Sequence, residues 1–483
     1  MRKLQFRRRI QYWLAGHAWL GIGVGALLYL LCVTGTLAVF GDTLRRWEHP
    51  DVPEYRALPP VVMGDVEQEF IRRAGVPETL WLVLPTPSLP RAHVSDGEHE
   101  WYLDVQGQFV VPPTEPWVEL LTDLHIHLQL PQTLGLVVVG VLGVLMASLI
   151  ISGLLAHPAI LRNAFQLRWG GSQRVQHADI HNRIGVWATP FLLMVSLTGA
   201  FIGLASLYLA VWAELDYGGD RSAAIEAVYG ADPMVDASPS RVDYPAVMAQ
   251  MARVAPAATP IYLAVQGLGT ENQVVEVAAT LPQRLAYSEI YRFSVDGRPL
   301  GDQGLTSGPW GRQLAYSVYR LHFGHFGGAA VRWLYLVFGA AAIVLVATGM
   351  RLWLVKRAPP GWIGGAWTAV QWGTPAGLAC AAASALVGGP VKAVFWLVFA
   401  GAAVVGVVSG RAQLLRQALL GLCAAASAAV AALHLLQHGL APSGAALLAQ
   451  LAWVVLAMGS GWALIRRHRE TGLRARPRQS AVP

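Results

Sequence analysis

Two histidines stand at the same distance from a Thr-Gly pair in two separate apolar stretches of the sequence. His17 precedes Gly35 by eighteen residues, and His181 precedes Gly199 by eighteen residues. Imidazole nitrogen is a common metal ligand, and histidine is a frequent axial ligand of haem iron. The matched spacing therefore indicates a repeated unit that binds a metal or a metal-containing cofactor.

Two further histidines extend this repeat. His127 precedes Gly153 of a Ser-Gly pair by 26 residues, and His322 precedes Gly349 of a Thr-Gly pair by 27 residues. The stretch containing His127 thus resembles the one containing His322. We predict a duplicated unit of two membrane helices, with an external segment after each odd-numbered helix.

Helix geometry places these histidines at two depths. Eighteen helical residues span about 27 Å, nearly the hydrocarbon core of a membrane. His17 and His181 are then expected at the cytoplasmic edge. The other two helices run in the opposite direction, which places their histidines at the outer edge. Two histidines on facing helices at one depth can supply both axial ligands of a haem iron. The sequence therefore predicts two haem b groups, one held by His17 and His181 and one by His127 and His322.

The glycines of the repeat lie at the depth of these predicted sites. A glycine removes side-chain bulk where a flat macrocycle would press against a helix, and it allows close helix packing. The cofactor-facing glycines are predicted to be Gly35, Gly153, Gly199 and Gly349.

Neighbouring histidines leave the choice of ligands open. At the outer edge His125 competes with His127, and His325 competes with His322. At the cytoplasmic edge His157 follows a Ser-Gly pair and is an alternative ligand to either inner histidine.

Three more histidines are interpreted without a ligand role. His177 is expected to be a solvated loop residue. His434 and His438 share one face of a later helix and are expected to lie at the membrane interface.

The composition predicts an integral membrane protein. The chain is 54% hydrophobic and only 13% charged, with a mean hydropathy of +0.43, whereas soluble proteins have about 25% charged residues. Its three cysteines, Cys32, Cys380 and Cys423, show no pairing or zinc spacing. Apolar runs predict eight spans, at about 18–41, 134–156, 184–212, 330–354, 366–387, 391–410, 413–436 and 444–465.

Basic residues predict the topology. Arginine and lysine clusters precede the first span and follow the second, fourth, sixth and eighth spans. The positive-inside rule then places both termini in the cytoplasm, with the N-terminal span as an uncleaved anchor. Lys392 is the one exception. The predicted fold is an all-α membrane bundle with two small external α+β modules, divided as 1–41, 42–133, 134–212, 213–329, 330–358 and 359–483.

The external segments share a pattern. Each has a helix-like stretch, 63–74 or 244–255, followed by strand-like alternation. An aromatic start, period-two alternation and a Gly turn occur at both 101–107 and 291–297, which is typical of a hairpin strand. We interpret the segments as two copies of one module; unrelated loops that share a strand pattern are the alternative.

Several short motifs carry a family resemblance. They are SGLLAH at 152–157, FQLR at 165–168, DIHN at 179–182, LHFG at 321–324 and RWLY at 332–335. Together they resemble the PepSY-associated transmembrane family over about residues 10–358. The resemblance implies PepSY-like external modules and kinship with bacterial inner-membrane proteins, some of which are haem-containing ferrisiderophore reductases. The histidines that match the family pattern are His17, His127, His157, His181 and His322.

The leading hypothesis is transmembrane electron transfer through the two haems to an acceptor in the periplasm. The family resemblance implies that this acceptor is ferric iron in a siderophore or another chelate. The chain has no G-x-G-x-x-G fingerprint after a strand and no P-loop. A quinol or a cytoplasmic flavin or NAD(P)H reductase is therefore the expected donor, membrane lipid is the expected surroundings, and no nucleic-acid partner is expected.

Two other functions compete with this hypothesis. The external modules could restrain a periplasmic peptidase or sense a ligand without redox chemistry. Alternatively, the duplicated bundle could transport a siderophore or small solute. The sequence disfavours transport because both units run in the same orientation, and no broken helix or charged residue is predicted at mid-membrane.

Overall fold

The helices account for most of the chain. The structure is a computed structural model that describes residues 2–156, 165, 168, 172–230, 240–440 and 443–475. Its described helices up to the second external segment are α1 (Arg2–Ala38), α2 (Gly41–Glu48), α3 (Pro60–Ala74), α4 (Pro116–Ile126), α5 (Gln132–Leu155), α6 (Gln173–Trp187), α7 (Thr189–Gly203), α8 (Ala205–Tyr217) and α9 (Arg221–Tyr229). They continue as α10 (Tyr244–Val254), α11 (Trp310–Phe323), α12 (Gly328–Arg357), α13 (Gly361–Leu386), α14 (Val391–Ser409), α15 (Ala412–His438) and α16 (Gly444–Ala475).

Six of the described helices are long and apolar enough to cross a membrane. These are α1, α5, α12, α14, α15 and α16, and the bent pair α6–α7 makes a seventh if it counts as one span. The predicted fifth span, 366–387, forms α13 but is not among the six. Small residues let α13 pack closely in the C-terminal bundle, where Gly365 lies directly against the backbone of Gly406. The chain is a multi-pass membrane protein, and the predicted number of eight spans stays a prediction.

The predicted third span, 184–212, is broken rather than continuous. Helices α6 and α7 meet at Ala188 with a bend of 67°. Pro190 has no amide hydrogen for the helix ladder, and the Thr189 hydroxyl donates to the carbonyl of Gly185 at 2.5 Å. Both features weaken the helix at this point. The expectation that no helix is broken was therefore wrong.

The two external segments join in one antiparallel sheet. The first segment contributes β1 (Thr79–Val83), β2 (Ala92–Ser95) and β3 (Glu100–Leu103), and the second contributes β4 (Thr259–Gln266), β5 (Val274–Thr280), β6 (Glu289–Phe293) and β7 (Pro299–Asp302). The strand order is β3-β2-β1-β4-β5-β6-β7. Strands β1 and β4 pair directly, with Leu82 opposite Leu263. The two predicted modules therefore share a single sheet.

Matching turns support the likeness between the two segments. Gly107 and Gly297 both have positive φ, +78° and +85°, and their amides donate to the carbonyls of Asp104 and Ser294. A Cβ at either glycine would meet the helix of its own segment, α3 or α10. The predicted strands at 101–107 and 291–297 are confirmed as β3 and β6, each followed by the same kind of turn.

The membrane helices form two groups. Helix α1 packs against α5 and α12, α12 also packs against α6, and α5 packs against α7. This group contains the duplicated unit. The C-terminal bundle, α13–α16, packs against α1, α2 and α4. Among the described residues, the main contacts of the second group are therefore with the first half of the duplicated unit.

Candidate functional site

The structure brings four histidines together as two pairs. The rings of His17 in α1 and His181 in α6 have centroids 6.3 Å apart, with an interplanar angle of 73°. The rings of His125 in α4 and His322 in α11 have centroids 6.2 Å apart and are nearly parallel, at 23°. We call these the inner pair and the outer pair; the outer pair lies on the side of the sheet. The inner pair is the predicted one, whereas the outer pair contains His125 in place of His127.

Each paired ring uses Nδ1 to reach a main-chain carbonyl on a neighbouring helix. The carbonyl oxygens belong to Leu149, Leu345 and Leu31 for His17, His181 and His125, at 3.0, 3.0 and 3.1 Å, and to Val195 for His322. A carbonyl oxygen only accepts hydrogen bonds, so Nδ1 must carry the hydrogen in this contact. The lone pair of the ring is then on Nε2, as in histidines that bind metals.

In three of the four cases a hydroxyl group also lies within hydrogen-bond distance of Nδ1. Ser152, Thr348 and Thr198 place their hydroxyl oxygens 3.3, 3.2 and 3.0 Å from Nδ1 of the adjacent ring. Each of these residues directly precedes a glycine of the repeat. The Ser/Thr-Gly signature therefore marks a binding position for the back of an imidazole ring.

The glycines make room for the histidine rings. A Cβ at Gly35 would lie 2.4 Å from Cε1 of His125, and one at Gly199 would lie 2.9 Å from Cε1 of His322. Gly153 and Gly349 stand in the same relation to the inner pair, at 3.1 and 3.0 Å. The sequence predicted glycines where a macrocycle presses against the helix. In the structure the imidazole ring itself occupies that space.

Each carbonyl lies four residues before its glycine, so the same local arrangement occurs four times. One helical turn presents the carbonyl, and the next presents a gap without a side chain. A ring can therefore approach the helix closely and still satisfy its Nδ1 hydrogen. The glycine that contacts each ring belongs to another helix: Gly153 lies against His17, and Gly349 lies against His181.

The pair separations suit iron bound between two imidazoles. A metal–imidazole bond is about 2 Å long, and the ring centre lies about 1 Å behind the nitrogen, so two axial ligands have centroids about 6 Å apart. The observed values are 6.3 and 6.2 Å. Each pair offers two axial ligands, and a porphyrin supplies the other four nitrogens. The residues present therefore fit haem.

Burial keeps the outer rings neutral. Burial and, to a lesser extent, the neighbouring His125 lower the pKa of His322 to about 4. Burial also lowers the pKa of His125. A neutral imidazole has the free lone pair that a metal requires.

His127 lies away from the outer pair. Helix α4 ends at Ile126, and Nε2 of His127 is 3.3 Å from a carboxylate oxygen of Asp123. The prediction counted back from Gly153 as though α4 and α5 were one helix, but the chain turns between them. A local signal existed in the sequence, because Leu124-His125-Ile126 matches Leu321-His322-Phe323.

The other candidate histidines are outside the two pairs or outside the described residues. His325 is exposed and stacks on Phe323 at 5.7 Å. His177 is 3.4 Å from the guanidinium of Arg351. His157 lies outside the described part of the chain, so its proposed ligand role stays a prediction.

The two remaining histidines contact the first external segment. His434 stacks on Trp47 and its Nε2 is 2.9 Å from the carbonyl of that residue, while His438 pairs with Asp51 at 2.9 Å. Both histidines therefore join helix α15 to the start of the first external segment.

Comparison with known proteins gives two findings. The family model described as the PepSY-associated TM region matches residues 14–356. An uncharacterized protein of Pseudomonas aeruginosa is 30% identical over 256 residues, which cover 50% of this chain and 64% of the relative. The alignment thus spans less than two thirds of that relative.

Proposed function

This chain belongs to the PepSY-associated transmembrane family, and on that basis we propose that it is a haem b electron-transfer protein of the bacterial inner membrane. His17 and His181 would hold one haem, and His125 and His322 would hold the other. A bound haem supplies a one-electron carrier. Two carriers near opposite ends of α1 would connect the two membrane faces.

The observation that carries this proposal is the fourfold repetition of one contact. Four buried or partly buried rings share a carbonyl at Nδ1, a glycine at Cε1 and a partner ring at 6.2 or 6.3 Å. A histidine that only fills space in the interior would not require the carbonyl, the glycine and the partner ring together. Their recurrence at two levels supports a shared role as axial ligands.

The chain's own residues would tune these ligands. The carbonyl partners orient each ring and fix its tautomer, and they increase the basicity of Nε2. The glycines bring the ring against the helix, which excludes water from its back edge. Membrane helices surround the inner pair, while the outer pair lies between the helix ends and the sheet.

We propose ferric iron in a siderophore or another chelate as the electron acceptor on the sheet side. One electron converts one ferric ion to ferrous iron, which hard oxygen ligands hold less tightly. The electron would come from a quinol, or from a flavin or NAD(P)H reductase at the cytoplasmic face. Kinship within the family suggests this chemistry, and the position of the outer pair beneath the sheet is compatible with it.

The test is a pigment measurement on purified protein. We expect a Soret band that shifts on reduction with dithionite, and two haems per chain. His125→Ala is expected to lose the outer haem, whereas His127→Ala, two residues away at the same helix end, is expected to retain both. These two substitutions form a matched pair because only His125 faces His322.

Three results would contradict the proposal. Protein expressed with sufficient haem supply and still without a Soret band would exclude a haem protein. Loss of haem in His127→Ala but not in His125→Ala would exclude the outer pair as assigned. Retention of both haems after replacement of His17 and His181 would exclude the inner pair.

Transport is a second candidate, favoured by the broken helix. The sequence did not predict the bend of 67° at Ala188. Discontinuous helices of this kind line substrate sites in many transporters. A transporter would move a radiolabelled ferric siderophore across proteoliposomes without reductant. Transport that survives replacement of all four paired histidines would favour this function over electron transfer.

A further inference from the structure

The C-terminal bundle contacts the helix that carries His125. Trp117 in the first turn of α4 donates from Nε1 to the carbonyl of Leu378 in α13 at 2.9 Å. Asp123, near the last turn of α4, pairs with Lys392 at the start of α14 at 2.8 Å. Both ends of α4 are therefore attached to a bundle that lies beyond the region matched by the family model, which ends at residue 356.

The turn that follows α4 is strained. Leu128 and Gln129 have φ values of +55° and +59°, a left-handed conformation that side chains with a Cβ disfavour. The equivalent helix end after His322 has Gly324 in this conformation, at φ +72°. The first repeat thus uses two ordinary residues where the second repeat uses a glycine. Surrounding contacts must hold such a turn.

Asp123 is the centre of those contacts. Its carboxylate accepts from Nε2 of Gln129 at 3.2 Å and is 3.3 Å from Nε2 of His127. The third partner is the ammonium group of Lys392. Asp123 lies two residues before His125, so a change in its position would move the helix end that carries this ring.

The position of Lys392 has a direct explanation in this contact. It is the one basic residue near a span end that did not fit the predicted topology. Because α4 follows the sheet segment, the ion pair with Asp123 places Lys392 on the sheet side. The positive charge of Lys392 is therefore explained by its ion pair with Asp123.

Aromatic packing fixes the other end of α4. Trp117 is almost completely buried, and its ring lies 5.3 Å from Trp453 of α16 and 5.8 Å from Trp47 of α2. Glu48 accepts from the backbone amides of Trp117 and Val118 at 3.0 Å each. These contacts set the position of the helix start.

A proline in the bundle creates one further attachment, to helix α1. Pro375 lies inside α13 and has no amide hydrogen for the carbonyl of Gln371. The hydroxyl of Tyr29 in α1 donates to that carbonyl at 2.9 Å. The bundle is therefore attached to α1 as well as to α4, and α1 carries Gly35 against the ring of His125.

We propose that the C-terminal bundle positions His125 in the outer pair, through Lys392 with Asp123 at the end of α4 and Trp117 at its start. This inference rests on the proposed function, because it gives His125 the role of an iron ligand. Lys392, Asp123 and Trp117 are positioning residues that act on the outer pair alone. The inner pair, held against α5 and α12, provides an internal reference.

The test compares Lys392→Gln and Trp117→Phe with matched controls. Lys356→Gln removes a lysine at the exposed end of α12, and Trp462→Phe changes a tryptophan that is 61% exposed on α16. Redox titration with electron paramagnetic resonance separates the two haems of purified protein. We expect the outer component to change its midpoint potential and its g values in both test variants, while the inner component and both controls stay unchanged.

Hydrogen exchange provides a readout that does not depend on haem. In Lys392→Gln the amides of residues 124–130 are expected to exchange about fivefold faster or more, the factor that corresponds to roughly 1 kcal/mol. Lys356→Gln is expected to leave them unchanged.

The outcomes separate the two proposals. Protein without haem contradicts the proposed function. If hydrogen exchange at residues 124–130 is also unchanged in Lys392→Gln, the stabilisation of α4 by the bundle is contradicted as well. Protein with two haems whose spectra and exchange are unaffected by Lys392→Gln and Trp117→Phe overturns the positioning role alone. Equal changes in both haem components also overturn it, because they indicate general disruption of the bundle.

Discussion

At the scale of single residues, the decisive feature is a ring that needs both a hydrogen-bond acceptor and an empty space. Thr198 and Gly199 provide these for His322, and Ser152 and Gly153 provide them for His17. The carbonyl that accepts from Nδ1 lies one helical turn earlier. A Cβ at Gly199 or Gly153 would lie 2.9 or 3.1 Å from Cε1 of the ring, so any other residue type would push the ring away from the helix.

Gly35→Ala tests this requirement. The new Cβ would lie 2.4 Å from Cε1 of His125, and overpacking of this kind costs about 1–3 kcal/mol. We expect the variant to lose the outer haem and retain the inner one, measured as the haem-to-protein ratio. Gly23→Ala in the same helix is the control, because nothing lies within 4 Å of its Cβ. An unchanged haem content in Gly35→Ala would show that the outer ring can withdraw without losing its function.

At the scale of elements, the two external segments are connected by helices as well as by strands. Tyr244 in α10 donates to the carboxylate of Glu67 in α3 at 2.5 Å, and both side chains are at least 96% buried. Burial raises the pKa of Glu67, while the hydrogen bond from Tyr244 opposes that effect. This hydrogen bond joins the two segments through their helices, as the pairing of β1 with β4 joins them through their strands.

Tyr244→Phe is expected to lower the free energy of unfolding of the sheet region by about 1–3 kcal/mol, the cost of leaving a buried polar group without its partner. Denaturant unfolding followed by near-ultraviolet circular dichroism measures this change. Tyr12→Phe is the control, since Tyr12 is 76% exposed. Equal stability of Tyr244→Phe and Tyr12→Phe would mean that the hydrogen bond from Tyr244 to Glu67 does not stabilise the contact between the two segments.

The same carboxyl predicts a pH dependence. Because the folded-state pKa of Glu67 is raised, the folded state binds its proton more tightly than the unfolded state does. Its contribution to stability is therefore greatest below the ordinary pKa and is lost as pH rises through the raised pKa. Glu67→Gln is expected to remove this slope, which unfolding measured across that pH range will detect.

At the scale of the whole molecule, α1 takes part in both histidine pairs. It carries His17 of the inner pair, and Gly35, eighteen residues later, lies against the ring of His125 in the outer pair. One continuous helix thus connects both sites. The C-terminal bundle packs against α1, α2 and α4, so it contacts the half that carries His125.

This arrangement predicts an order of electron transfer. In right-side-out membrane vesicles supplied with a short-chain quinol and an external ferric chelate, His17→Ala is expected to slow reduction of the chelate about tenfold or more, a barrier increase of about 1.4 kcal/mol. Its outer haem is still expected to respond to dithionite. His125→Ala is expected to block the chelate reaction while the inner haem is reduced normally. Chelate reduction at the original rate in His17→Ala would show that the sites do not act in series.

The sequence by itself determined the membrane character, the duplicated unit, the family and the inner pair, because these depend on composition and on spacing within continuous helices. Tertiary structure decided the remaining points. His125 faces His322 because the chain turns between α4 and α5, and a count along the sequence cannot register a turn. Strand pairing between β1 and β4, the bend at Ala188 and the contact of Lys392 with Asp123 are likewise interactions between distant segments. The periodicity of the sequence indicates which face of a helix or strand is buried, but only the packing of the folded chain determines which residues contact that face.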